Sequence, residues 1–123
     1  MDFTLKKYRE LLESLKAKGY EVITFKQYCM GEYSQKIVIL RHDVDLLPYN
    51  SLKTADIEHS LQIKGSYYFR AIKESWDETV VKEIDALGNE IGYHYESLTT
   101  CNGDLEKAYQ NFYSNLEKFR KVA

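Results

Sequence analysis

At 123 residues and 14.5 kDa the chain has room for one domain and a modest core, not for a closed barrel of the usual size. With 44% hydrophobic and 29% charged residues, a net charge of −2 and mixed signs along its length, it has neither the basic face of a nucleic-acid binder nor the composition of a disordered segment. The longest apolar run is far too short for a bilayer span and the start, MDFTLKKYRE, lacks the apolar core of a secretion signal, so a cytoplasmic protein is expected, and Cys29 and Cys101, without CxxC spacing, are expected as free thiols.

In chain order, Leu5, Tyr8, Leu11, Leu12 and Leu15 recur at helical spacing after a capping Thr4, and Gly19 closes the helix near Lys18. Residues 20–23 read as extended, 24–28 as a brief helical turn and 30–35 as loop. Ile37 to Leu40 are consecutive apolar residues, mostly β-branched, the pattern of a strand buried on both faces of a parallel sheet. The segment 46–50, with the only proline, predicts a turn, and Asn50 or Ser51 then caps a helix to Ile63 closed by Gly65. SYYFR at 66–70 is the next strand. A helix over 76–87 carries Val80, Val81, Ile84 and Leu87, and Gly88 stops it. Residues 90–93 form a further strand, and 104–121 a last helix with Leu105, Tyr109, Phe112, Leu116 and Phe119 inward. The alternation predicts an α/β fold of β-α units with a parallel sheet, as a single domain over 1–123, with 1–35 as N-terminal helix and lead-in and 36–123 as the β/α region.

Reactions in such folds sit at the carboxyl ends of the strands. The 37–40 run ends in Arg41, His42, Asp43 and Asp45, and in an extended chain Asp43 and Asp45 point one way while His42 points the other. His94 follows the strand at 90–93, with Tyr95 beside it and Glu96 two residues on; Arg70 ends the aromatic strand. Asp43, Asp45, His94 and Glu96 around one ion make a mixed oxygen and nitrogen set suited to zinc, manganese, cobalt or iron. The competing reading takes Asp43 and Asp45 as turn or capping carboxylates, His94 as a hydrogen-bonded core residue, Glu96 as a loop carboxylate, Arg41 as a structural ion-pair partner and His59 as a surface residue. The six glycines form no phosphate-binding loop, and no GxSxG elbow is present.

Three segments together resemble the polysaccharide deacetylases, or NodB-homology domains, in the branch whose first motif reads HDVD: RHDVD at 41–45, GSYYF at 65–69 and NEIGYHYESL at 89–98. The resemblance implies a distorted (β/α) barrel that removes acetyl groups from N-acetylated oligo- or polysaccharides with one divalent metal, zinc or else manganese, cobalt, iron or nickel. By motif, Asp43 matches the base, Asp45 the metal aspartate and His94 the first metal histidine. Arg41, His42, Arg70 and Tyr95 then support these ligands or contact substrate. The sequence departs from the pattern at Val44, which separates the two aspartates, and at Leu98, which stands where a second metal histidine is expected and leaves Glu96 as the nearest replacement. The chain is expected to be the amino-terminal half of such a domain, without the later general-acid histidine. The alternative is a non-catalytic remnant or self-associating module, a homodimer covering the open half-barrel. A third reading is a generic α/β binding domain.

Overall fold

The structure, a computed structural model, describes residues 3–123. Helix α1 (Leu5–Ala17) starts where Thr4 Oγ1 accepts the Lys7 N–H at 3.1 Å, and Gly19 leaves it at φ 80°. Strand β1 (Glu21–Ile23) leads to the short helix α2 (Phe25–Cys29), which begins in a reciprocal capping box between Thr24 and Gln27. The central apolar run forms β2 (Ile37–Ile39) and, after Leu40 alone, β3 (Arg41–Val44). Then come α3 (Pro48–Ser60), β4 (Ser66–Phe69), α4 (Glu78–Ala86), β5 (Glu90–Tyr93), the single turn α5 (Ser97–Thr100) and α6 (Leu105–Arg120).

All strand pairs are parallel: β1 with β2, and β3-β4-β5 in that order. Leu40 C=O accepts the Ser66 N–H at 2.9 Å, so the continuous chain from Ile37 to Val44 is partnered by β1 along its first part and by β4 along its second. One face of the sheet carries the core. Val44, Tyr67 and Phe69 pack there against Ala55 of α3, Val80, Val81 and Ile84 of α4, and Phe119 of α6. Tyr8 and Leu12 of α1 form a second cluster with Ile63, flanked by Val22 and Leu40. Among the described residues no helix is long and apolar enough to cross a membrane, and both cysteines are free.

Several expectations are corrected. Ile37 to Leu40 are half-buried, because the helices cover one sheet face and the other is left open. Helix α3 begins at Pro48, ahead of Asn50: proline is favoured at the first helical position, where its missing N–H would be unpaired in any case. It ends at Ser60, where Gln62 at φ 59° lets the Ile63 N–H reach Glu58 C=O at 2.8 Å, so Gln62 does the work assigned to Gly65. In α6, Leu105 and Tyr109 are 76% and 65% exposed, and Ala108 joins the expected Phe119 as the buried residues of the helix.

Candidate functional site

Alternation along the strands sorts the predicted residues onto two faces. On the open face, Asp43 of β3, Tyr68 of β4 and Gly92 of β5 stand in register, with Arg41 paired to Ser66 two residues earlier. The Arg41 Nε–H donates to Asp43 Oδ1 at 2.8 Å, and its guanidinium lies 4.6 Å over the Tyr68 ring. That hydrogen bond, with the Asp43 charge, pushes the Arg41 pKa above its ordinary value. The Tyr68 phenol is also raised, by burial first and then by the Glu90 carboxylate. The foot of the face is closed by α2, whose Phe25 and Lys26 N–H groups donate to Ser66 Oγ (2.9 Å) and Glu90 Oε2 (3.0 Å).

At the carboxyl ends of β3, β4 and β5 the structure brings together Asp45, Arg70, His94 and Glu96. Asp45 Oδ1 is 3.4 Å from His94 Nδ1 and 4.0 Å from Arg70 Nε, while Arg70 donates to Glu96 Oε2 at 2.5 Å. The His94 backbone is fixed by its N–H bond to Phe69 C=O, 2.8 Å. Arg70 is fixed by Ser75, a buried residue that sequence reasoning missed: the Arg70 N–H donates to Ser75 Oγ at 3.0 Å, and the Ser75 hydroxyl donates to Val44 C=O. Ser75 thereby ties the ends of β3 and β4 together. A lone serine in a loop offers no periodic signal that could have singled it out.

The remaining predicted residues take no part in these contacts. Asp43 is held by Arg41. His42 points through the sheet toward α3 and bonds Glu58 Oε1, and His59 is exposed, as expected of a surface residue. Tyr95 is exposed and rests edge-on against Phe112 of α6 at 4.9 Å. Leu98 is half exposed and offers no donor atom.

The donor set suits a cation in part. His94 Nδ1 is buried and has no hydrogen-bond partner, and two metal bonds of about 2.1 Å at a tetrahedral angle span about 3.4 Å, the separation observed to Asp45 Oδ1. Glu96, the third expected ligand, is taken by Arg70. Among the described residues no three His, Cys, Asp or Glu side chains converge as a metal cage would. A small polar cavity of about 60 Å³ opens beside the group, between Arg70, His94 and Glu96 on one side and Asn111 and Asn115 of α6 on the other. Against family models, curated proteins and solved structures the chain gives no significant match.

Proposed function

We propose that the chain carries part of a metal-dependent hydrolase site of the polysaccharide deacetylase type, acting on N-acetylated oligo- or polysaccharides. The observation that carries this reading is the unpaired, buried His94 Nδ1 facing Asp45 Oδ1 at the sheet's carboxyl edge. Those are the two positions that the motif resemblance marks as metal ligands. Helices on one face of a parallel sheet and a polar open face on the other support the finer reading as the first half of a distorted (β/α) barrel.

Asp45 and His94 would hold the ion. When bound, it supplies Lewis acidity for an amide carbonyl and acidity for a water near neutral pH. Asp43 is the group that takes a proton, once substrate or solvent draws Arg41 away from it; general-base help of this kind is typically worth about 10²- to 10⁴-fold. Arg70 positions Glu96 and neutralises it. A second reading, a binding module that does no chemistry, is favoured by one feature: Arg41 and Arg70 already satisfy Asp43 and Glu96.

The test is thermal unfolding with and without Zn²⁺ or Co²⁺, alongside acetate release from chitooligosaccharides. A ligand at about 100 times its Kd stabilises by about 2.7 kcal/mol, and the metal-induced rise in Tm should vanish in His94→Ala and Asp45→Asn. An equal rise in those variants, or none in the parent, refutes the metal assignment. Metal binding without acetate release supports the second reading.

A further inference from the structure

The small polar cavity at the carboxyl edge is walled on one side by α6. Asn111 and Asn115 stand there one helical turn apart, half-buried, across from Arg70 and His94. Asparagine is a poor helix former, so a pair of them in successive turns weakens α6 unless their amides are used. The two amides are held in one arrangement: Asn115 Nδ2 donates to Tyr93 Oη at 3.1 Å and to Asn111 Oδ1 at 3.4 Å. Tyr93 is itself fixed against the helix, its ring stacked on Phe112 at 5.6 Å. These bonds use the donor of one amide and the oxygen of the other. Left over are Asn111 Nδ2, a donor, and Asn115 Oδ1, an acceptor, neither with a hydrogen-bond partner among the described residues. Ala71 and Ile72 line the same cavity with apolar surface.

We propose that Asn111 and Asn115 form the subsite that reads the acetamido group of the sugar. A neutral secondary amide asks for a donor at its carbonyl, an acceptor at its N–H and an apolar surface at its methyl. Asn111 Nδ2, Asn115 Oδ1 and the wall of Ala71 and Ile72 are those partners. A volume of about 60 Å³ holds roughly four to six water-sized groups at about 10–15 Å³ each, which suits the two carbons, the oxygen and the nitrogen of an acetamido group. A hydroxyl in its place is too short to meet both amides and leaves the apolar wall wet. An ammonium group brings donors alone and leaves Asn111 Nδ2 unmatched, and a polar group that binding leaves unpaired is where a site rejects the wrong ligand. The assignment rests on the reading of this edge as a site for N-acetylated sugars. It needs neither an ion nor a chemical step, so it applies to the binding module as well as to the hydrolase.

The test is a titration of the full, nitrogen-labelled chain with two neutral disaccharides, followed by heteronuclear NMR: N,N′-diacetylchitobiose, and cellobiose, which has hydroxyls where the acetamido groups stand. In the parent the side-chain amide signals of Asn111 and Asn115 should shift saturably with the first and stay in place with the second. Asn111→Ala and Asn115→Ala each put a good helix former on α6 and so keep the fold. Each should weaken binding of diacetylchitobiose about fivefold, the worth of one ordinary hydrogen bond. An unchanged Kd in both variants, or cellobiose acting as diacetylchitobiose does, overturns the subsite while leaving the edge a sugar site. A parent that responds to neither sugar overturns the subsite too, and the Zn²⁺-dependent rise in Tm then decides separately whether the edge holds an ion.

Discussion

Gly92 is the place where one methyl group tests the architecture of the open face. A Cβ built there would lie 2.5 Å from Tyr68 Cε1 and 3.3 Å from Cγ, and closer still to Cδ1. These are atoms in the body of the ring, on a strand hydrogen-bonded to β5, so no flexible tip can swing aside. Gly92→Ala must push Tyr68 off the sheet. Overpacking of this kind costs about 1–3 kcal/mol, and the Arg41 guanidinium loses the ring it stacks on. The gain from removing glycine from a strand returns about 0.5–1 kcal/mol. The net is about 1–2 kcal/mol, or a fall in Tm of about 4–8 °C for a domain of this size. Thermal unfolding followed by circular dichroism measures it, and a cycle with Tyr68→Ala isolates the clash: the double variant should lose far less than the sum of the two single ones. A Gly92→Ala protein melting within about 2 °C of the parent, or strictly additive losses, would refute the close approach of Tyr68 to Gly92.

Asn89 is buried and bridges two elements, its Oδ1 accepting the Gly65 N–H at 2.8 Å and its Nδ2 donating to Ile84 C=O at 3.0 Å. Asn89→Ala orphans both backbone groups and should cost about 2–4 kcal/mol, seen as a lower urea midpoint with an unchanged slope. Burial, and then the Glu58 carboxylate that both hydroxyls meet, raises the phenols of Tyr8 and Tyr67 well above their ordinary value, which predicts an alkaline limb as well. An acid whose pKa is higher in the fold than in the unfolded chain contributes stability that is complete below the unfolded value, 10.0 for tyrosine, and is lost as pH rises beyond it. Stability should therefore decline above about pH 10. Absorbance titration at high pH should leave Tyr8 and Tyr67 un-ionised among the eleven tyrosines until the protein unfolds; smooth ionisation of all eleven in the folded state would contradict their burial.

The elements with local signals were the legible ones. Thr4 caps the helix its position announced, Asp77 and Asp104 turn out to cap helices read as starting at Trp76 and at Asp104 itself, and Gly19 and Gly88 sit at positive φ where their helices end. Strands β4 and β5 were visible as short runs between turn signals. What the sequence could not convey was which neighbour each element would find. The apolar run at 37–40 looks the same whether one face or both are covered, and it is half-buried because helices cover only one. Leu105 and Tyr109 fit a helical stripe as well as Ala108 does, and the docking angle of α6 chose between them. At the site, the opposed directions of His42 and Asp43 followed from the strand period, and Asp45 and His94 do meet. Arg41 and Asp43 are two residues apart on one strand face, and their pairing was open to a sequence reading; the hold of Arg70 on Glu96, and the contacts of buried Glu58 with Tyr8, His42 and Tyr67, join residues that are separated in the chain. A glutamate among the polar residues of α3 carries no mark of burial.

The central sheet also has a consequence for how the chain assembles. Its two crossovers enclose nearly equal spans: Arg41 pairs with Ser66 and Ser66 with Glu90, separations of 25 (66 − 41) and 24 (90 − 66) residues. The entropy of closing a loop depends only on the logarithm of its length, so neither unit gains a head start from connectivity. β4 is the one segment common to both closures, and it brings Tyr67 and Phe69, two of the largest fully buried side chains, to either partner. Its ordering is the step through which nucleation on both sides must pass, and the outer strands join as clients of that event.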